Sequence, residues 1–360
     1  MEKRALHVDG AAGVWRAVDA AANRAAEALR VVEDAARFAL DDARTTALAR
    51  DLRHELAAVL ATEPLRHRVA LRDVAGDVGI GMKSEQALAR RSVADLVAAN
   101  AARAAQAMRS LEECAAVVAV DATPRFERLR YRVYELEHRC LGAARARERL
   151  AGIDLCVLVD GRSHGDDFTR LVAALVEAGV RMLQIRDKGL GVPALVDRVR
   201  RALDVVHAAD RDDPALVIVN DRPDVAAALG AAGVHTGADD LPTALVRRVI
   251  GPAALLGRTA HDVAEARAAV AAGADYLGIG PCFPSATKSF ETHAPPEFLR
   301  TVAAEVALPV YAIGGITLER LDALAALGIR RIAVASAVTA AADPAAAAAA
   351  LIARLAELRG

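Results

Sequence analysis

From about Gly152 to its end the chain repeats one unit: a short aliphatic run, a glycine or polar turn, then a helical pattern. Eight such runs stand out: "IDLCVLVD", "VRMLQIRD", "ALVIVND", "GVHTG", "ALLGRTAH", "YLGIGP", "LPVYAIGG" and "RIAVASA". Helical segments such as "DDFTRLVAALVEAG" and "DVAEARAAVAAG" follow them. A strand that reaches its neighbour through a helix pairs with it in parallel, because the helix carries the chain back to the starting edge. Eight units in about 200 residues predict a (β/α)8 TIM barrel at the compact end of its size range. A doubly wound open sheet is the alternative, but no GxGxxG follows the first strand.

The first part of the chain follows another pattern. From about Val14 to about Arg149, apolar residues recur at spacings of three and four and β-branched runs are missing, which predicts an all-α helical bundle. Its breaks are "ATEPLRHR", "DVAGDVGIGMKSE" and "DATP". The expected domains are therefore 1–149, all-α, and 150–360, the barrel, joined near "ARARERLAGID". The bundle contains an internal repeat: "RAAEALRVVEDAAR" resembles "RAAQAMRSLEECAA" 79 residues later. Arg24, Glu27, Arg30 and Glu33 align with Arg103, Gln106, Arg109 and Glu112. Two similar surface helices would explain this, as would a pseudo-symmetric bundle whose copies face each other around a polar site.

Bulk properties exclude several classes of function. Formal net charge is −1 and only 3% of residues are aromatic, so neither a basic nucleic-acid surface nor a base-stacking platform is expected. No stretch has the ~18 uncharged apolar residues of a membrane helix, and the N-terminus lacks the apolar core of a signal peptide. Cys114, Cys140, Cys156 and Cys282 form no CxxC pair and read as reduced thiols of a cytoplasmic protein. Oligomeric state stays open, a homo-oligomer included.

Chemistry in a barrel gathers where strands end, and these ends are polar. The second strand runs into "MLQIRDK", which sets Gln184, Arg186 and Lys188 at every second position and so on one face. Charges on such a face are costly unless they meet a counter-ion. Asp221 and Asp240 follow sequential strands ~4.8 Å apart and are placed to share one magnesium ion, although a helix cap and a turn residue would look the same. Gly314-Gly315 before a helix, with Ala335-Ser336 on the next strand, suit a phosphate site after strands seven and eight, or two tight turns. Arg186, Lys188, Lys288 and the magnesium would together neutralise a diphosphate. His235 and His261 lie at the mouth, as supports rather than catalysts.

Taken in order, "QIRDK", "VND", "GVHTGADDLP", "GRTAH", "GPCFPSATK", "AIGGI" and "VASAV" resemble the thiamine-phosphate synthase family from about Asp154 to the C-terminus. The resemblance implies a Mg2+-dependent transferase with two small-molecule substrates. It would join (4-amino-2-methyl-5-pyrimidinyl)methyl diphosphate to a thiazole phosphate, giving thiamine phosphate and diphosphate. Carried over by motif, Gln184, Arg186, Lys188, Asn220, Thr259 and Lys288 would contact the pyrimidine diphosphate. Ser285, Thr287, Gly315, Ala335 and Ser336 would bind the thiazole phosphate, and Asp221 and Asp240 the metal. The implied chemistry is dissociative: the diphosphate leaves and the thiazole nitrogen captures a pyrimidine-methyl cation. The stretch from Pro281 to Pro296 has the length of a lid that would keep water from that cation. Thr259 stands where the family often has serine, Ser285 where it often has threonine, and Ala238 replaces a common glutamine.

The N-terminal half resembles the helical domain fused ahead of some of these synthases, associated with phosphorylation of the pyrimidine monophosphate. It has no P-loop. Asn23, Arg24, Arg30, Arg72, Asp77, Lys83, Asn100 and Arg109 are its candidates for a phosphate ligand, and a scaffold is the other reading. Two alternatives to the synthase remain. A thiazole tautomerase-like barrel would not need the diphosphate clamp. A non-catalytic sensor of thiamine intermediates would want an output domain, and no DNA-binding helix-turn-helix is evident.

Overall fold

The computed structural model describes residues 2–40, 42–72, 90–159, 164–209, 212–284 and 293–359. It divides into two compact units, 1–145 and 146–360. The first is all-helical: α1 Glu2–Asp34, α2 Ala43–Leu60, α3 Val93–Val118 and α4 Thr123–Arg149, the last running past the division. In the sequence the helical pattern begins near Val14, just after Gly10 and Gly13, and each glycine costs about 1 kcal/mol in a helix interior. The helix nevertheless runs through both. A π-helical turn over Ala35–Ala39 then ends it, a break that no glycine or proline announces.

The two repeats fall on α1 and α3, which pack against each other. Their inner faces bury small residues, Ala21, Ala25 and Ala28 from α1 with Ala101, Ala104 and Ala107 from α3, while Leu29, Val32, Met108 and Leu111 fill the core. Ser92 caps α3 by accepting from the Asp95 amide at 3.1 Å.

The second unit closes a parallel barrel in the order β1 to β8. Its strands are β1 Leu155–Val159, β2 Met182–Ile185, β3 Leu216–Asn220, β4 Gly233–Thr236, β5 Leu255–Ala260, β6 Tyr276–Ile279, β7 Val310–Ile313 and β8 Arg331–Val334. Each coincides with one of the eight runs marked in the sequence. Helices α5 Gly165–Glu177, α6 Val192–Ala208, α7 Pro223–Leu229, α8 Thr243–Ile250, α9 Val263–Ala271, α10 Pro296–Glu305, α11 Leu321–Ala325, α12 Ser336–Thr339 and α13 Pro344–Glu357 complete the unit. Strands of such a sheet are covered on both faces, which is why they read as unbroken aliphatic runs. Val157, Leu183, Val217, Val234, Leu256 and Leu277, at alternate positions on the strands, are buried.

The alternate positions fill the barrel in layers. Cys156, Leu158, Met182, Ile218, Leu255, Tyr276, Tyr311 and Ala333 form one apolar cluster. Register aligns Leu158 with Gln184, Gln184 with Ile218, and Asn220 with His235. On the same strand faces, apolar residues therefore give way to polar ones toward the C-terminal ends.

Candidate active site

A cavity of about 730 Å³ opens at that end, within the size range of small-molecule sites. Gln184, Arg186, Lys188, Asn220, Asp221, Asp240, Thr259, Gly315, Ala335 and Ser336 all line it. Ser285, Thr287 and Lys288 lie outside the described residues, as does half of the expected lid.

The second strand ends earlier than its sequence suggests. β2 stops at Ile185, and the Arg186 amide donates once more to Val159 O at 3.0 Å. Lys188 therefore sits in the turn beyond, not on the strand face, because the parallel ladder gives out before Gly189. It still reaches the cavity, where its Nζ lies 3.3 Å from Asp221 Oδ2.

Asp221 is the only non-glycine residue with positive φ among the described residues, at 59°. Its amide donates to His235 O at 2.8 Å, so the backbone is held from the neighbouring strand while it turns out of register. Aspartate tolerates this left-handed conformation better than most residues, and such outliers cluster at functional sites. Asp240 is anchored separately: its Oδ2 accepts from the Gly237 amide at 2.6 Å. The two carboxyl groups are within hydrogen-bonding reach of each other. Burial and then Asp240 hold the Asp221 carboxyl above the ordinary carboxylate range, and Lys188 pulls it back. One lysine cannot neutralise two carboxylates, so this all-oxygen pair has the chemistry of a hard divalent cation site. No cluster of three metal-ligating side chains occurs among the described residues, so such an ion would depend on water and substrate oxygens for the rest of its shell.

The opposite wall is built from the turn after β7. Gly315 has φ +61°, and a Cβ there would lie 2.4 Å from Pro284 O. Only glycine fits both the turn and the close approach. Arg320, which nothing in the sequence distinguishes from an ordinary residue of a helical turn, holds this wall together. Its guanidinium stacks 5.0 Å from the Phe283 ring, donates to Pro284 O at 3.2 Å and also donates to Gly315 O. Arg258, next to Thr259 in the "GRTAH" run, is used structurally: it donates to Thr236 Oγ1 at 3.0 Å.

His235 is buried at the back of the cavity. Its Nδ1 is 3.2 Å from Tyr276 Oη and its Nε2 is 3.0 Å from Thr259 Oγ1. Burial, reinforced by Arg258 and Arg186, pushes the imidazole down to about 4, so it is neutral at physiological pH. His261 Nδ1 donates to Gly280 O at 2.7 Å.

The helical unit has its own cavity, of about 560 Å³, lined by Arg24, Glu27, Ala28 and Val31 from α1 and by Asn100, Arg103, Gln106, Ala107 and Ser110 from α3. Four of these pairs stand 79 residues apart, so the cavity straddles the internal repeat. The remaining repeat charges are structural. Glu33 accepts from Arg53 at 2.9 Å and Arg50 at 3.2 Å, and Glu112 accepts from Arg109 at 2.7 Å and Arg130 at 2.5 Å. Arg30, Arg72 and Arg109 are committed to Glu33 and Asp34, to Asp19, and to Glu112 and Glu113 respectively. Of the phosphate candidates, Arg24 and Asn100 face the cavity, and Asp77 and Lys83 lie outside the described residues.

Residues 155–338 match the family described as thiamine monophosphate synthase, and residues 16–139 match the family described as ThiD2. A thiamine-phosphate synthase of Rhodopirellula baltica is 37% identical over 330 residues, covering 89% of this chain and 87% of that one. One of Gloeobacter violaceus is 39% identical over 333 residues, covering 92% and 94%. Among solved structures, a thiamine phosphate pyrophosphorylase from Pyrococcus furiosus superposes with a TM-score of 0.50 at 30% identity. It spans 58% of this chain and 98% of its own.

Proposed function

Since this chain belongs to the thiamine-phosphate synthase family, we propose that its barrel mouth joins (4-amino-2-methyl-5-pyrimidinyl)methyl diphosphate to a thiazole phosphate with the help of Mg2+. The observation that carries this reading is the meeting of two carboxylates, Asp221 and Asp240, with Arg186 and Lys188 in one cavity. A tautomerase would have no use for that combination of charges.

The residues divide the work between two anions. Arg186 and Lys188, with Lys288, take the diphosphate oxygens, and Gln184, Asn220 and Thr259 orient the pyrimidine diphosphate. The Gly314-Gly315 turn, braced by Arg320, and Ser336 receive the thiazole phosphate on the other wall, together with Ser285 and Thr287. Asp221 and Asp240 would hold the magnesium, which when bound adds positive charge to the departing diphosphate. In this reading no side chain of the protein acts as the nucleophile; the thiazole nitrogen does. The chain contributes position and fixed charge, which act most strongly where water is excluded.

For the helical unit, the cavity across the repeat favours a ligand-binding role over a scaffold. Arg24 and Arg103 give it a net positive lining with one acid, Glu27, which suits the pyrimidine monophosphate as a substrate for phosphorylation. The purified chain, with magnesium and thiazole phosphate, should form thiamine phosphate from the pyrimidine diphosphate and also from the monophosphate plus ATP. Product from the diphosphate alone would reduce the helical unit to a scaffold. No product from either would remove the synthase reading.

A further inference from the structure

The barrel spends an unusual amount of space on one neutral imidazole. On β5, which pairs with the strand of His235, and on β6 beyond it, glycines replace side chains at Gly257 and Gly278. A Cβ at Gly257 would lie 2.4 Å from His235 Nδ1 and 2.2 Å from Tyr276 Cζ, and one at Gly278 would lie 3.1 Å from His235 Cε1. Below the imidazole, Tyr276 and Tyr311 meet edge to face with centroids 5.7 Å apart, and Tyr311 Oη donates to Ile153 O at 2.7 Å. The floor is thereby locked, and the imidazole has one orientation.

Hydrogen-bond accounting then fixes its protons. Tyr276 Oη is buried, and among the described residues its one polar partner is His235 Nδ1. A buried hydroxyl proton needs an acceptor, so the tyrosine donates and Nδ1 is bare. The single imidazole proton is left on Nε2, where it is donated to Thr259 Oγ1. With that oxygen accepting, the threonine's own proton has no acceptor among the described residues, and Thr259 lines the cavity. The opposite tautomer would strand the tyrosine proton and take the threonine proton inward.

We propose that His235 is a positioning residue, oriented by Tyr276, which makes the Thr259 hydroxyl a hydrogen-bond donor toward an acceptor atom of the pyrimidine diphosphate. The proposal rests on the reading above, in which Thr259 meets that substrate. It explains why a histidine is buried here although no proton needs to be abstracted: one ring nitrogen accepts from the tyrosine while the other donates to the threonine.

Imidazole 15N NMR of the full chain decides where the proton sits. The His235 signals, assigned by their loss in His235→Gln or their displacement in Tyr276→Phe, should show a protonated Nε2 and an unprotonated Nδ1. A protonated Nδ1 overturns the proposal. Kinetics supply the second arm. Tyr276→Phe keeps the ring packing and should lower kcat/KM for the pyrimidine diphosphate about tenfold, with KM for the thiazole phosphate unchanged. In a Thr259→Val background the same change should cost nothing further. Equal losses in both backgrounds would make Tyr276 mere packing and overturn the relay while leaving the coupling activity intact. If the wild-type chain forms no product, the function proposed for the barrel fails instead, and the tautomer measurement alone decides the relay.

Discussion

Lys188 Nζ stands 3.3 Å from Asp221 Oδ2, so a cation expected on the diphosphate is engaged with a carboxylate expected on the metal. The pair links the proposed metal and diphosphate sites: a divalent ion taking the carboxylate would free the lysine for the diphosphate. Asp221→Asn keeps the shape and tolerance for positive φ but removes the charge. It should cut turnover about 100-fold or more and raise the magnesium concentration needed for half-maximal rate. Steady-state rates across a magnesium series, with thermal unfolding as the control for folding, check this. Undiminished turnover would remove Asp221 from the metal site.

The turn after β7 makes a separate prediction. At Gly315 a methyl group meets Pro284 O and the backbone is left-handed, so Gly315→Ala should cost about 1–2 kcal/mol in stability. If this turn receives the thiazole phosphate and not the diphosphate, as proposed, KM for the thiazole phosphate should rise about tenfold while KM for the pyrimidine diphosphate stays put. Equal effects on both would show that the turn serves the whole mouth.

How much of this could be read from the chain alone depends on whether a residue breaks its local pattern. Gln184, Asn220 and Thr259 are polar residues at the ends of aliphatic runs, so both the strands and the mouth were visible. Arg320 was not, since an arginine in "TLERL" is what any exposed helical turn carries, and its value lies in reaching back to Phe283 and Pro284. Tyr276 was hidden for the opposite reason: an aromatic residue opening a strand is ordinary β composition, and its hydroxyl partner is 41 positions away. The repeat charges were visible as a pattern but not as roles. Only the fold shows that Arg24 and Arg103 line a cavity while Arg30 and Arg109 serve the buried Glu33 and Glu112.

Those buried glutamates tie the helical unit to pH. Burial alone would raise the Glu112 carboxyl, but the Arg130 and Arg109 guanidiniums more than offset it and hold it below its ordinary value. Glu33 is held down in the same way by Arg53 and Arg50. A depressed folded value means that the contribution to stability is complete above about pH 4.3, the ordinary glutamate value. It is then lost as the pH falls through the depressed values. Glu112→Gln should cost about 2–3 kcal/mol at neutral pH and flatten part of the acid limb. Denaturant unfolding of the full chain followed from pH 7 to 3 tests both; a variant with the parent's acid limb would show that the pairs do not set it.

The cavity across the repeat carries the last expectation, because its two arginines are the ones proposed to meet the ligand of the helical unit. Arg103 bonds within its own helix only to Asn100, at 3.5 Å, and is exposed, so reversing its charge should change stability by no more than about 0.5 kcal/mol. It would still turn a positive lining negative against an anionic ligand. For Arg103→Glu, calorimetric titration with the pyrimidine monophosphate should show Kd raised about tenfold or more. Arg24→Glu, its partner across the repeat, should do the same. Coupling from the pyrimidine diphosphate should be unchanged in both variants, since the barrel supplies that chemistry. If monophosphate binding survives both reversals, the ligand of the helical unit sits elsewhere. If diphosphate coupling falls with it, the two activities share more than a chain.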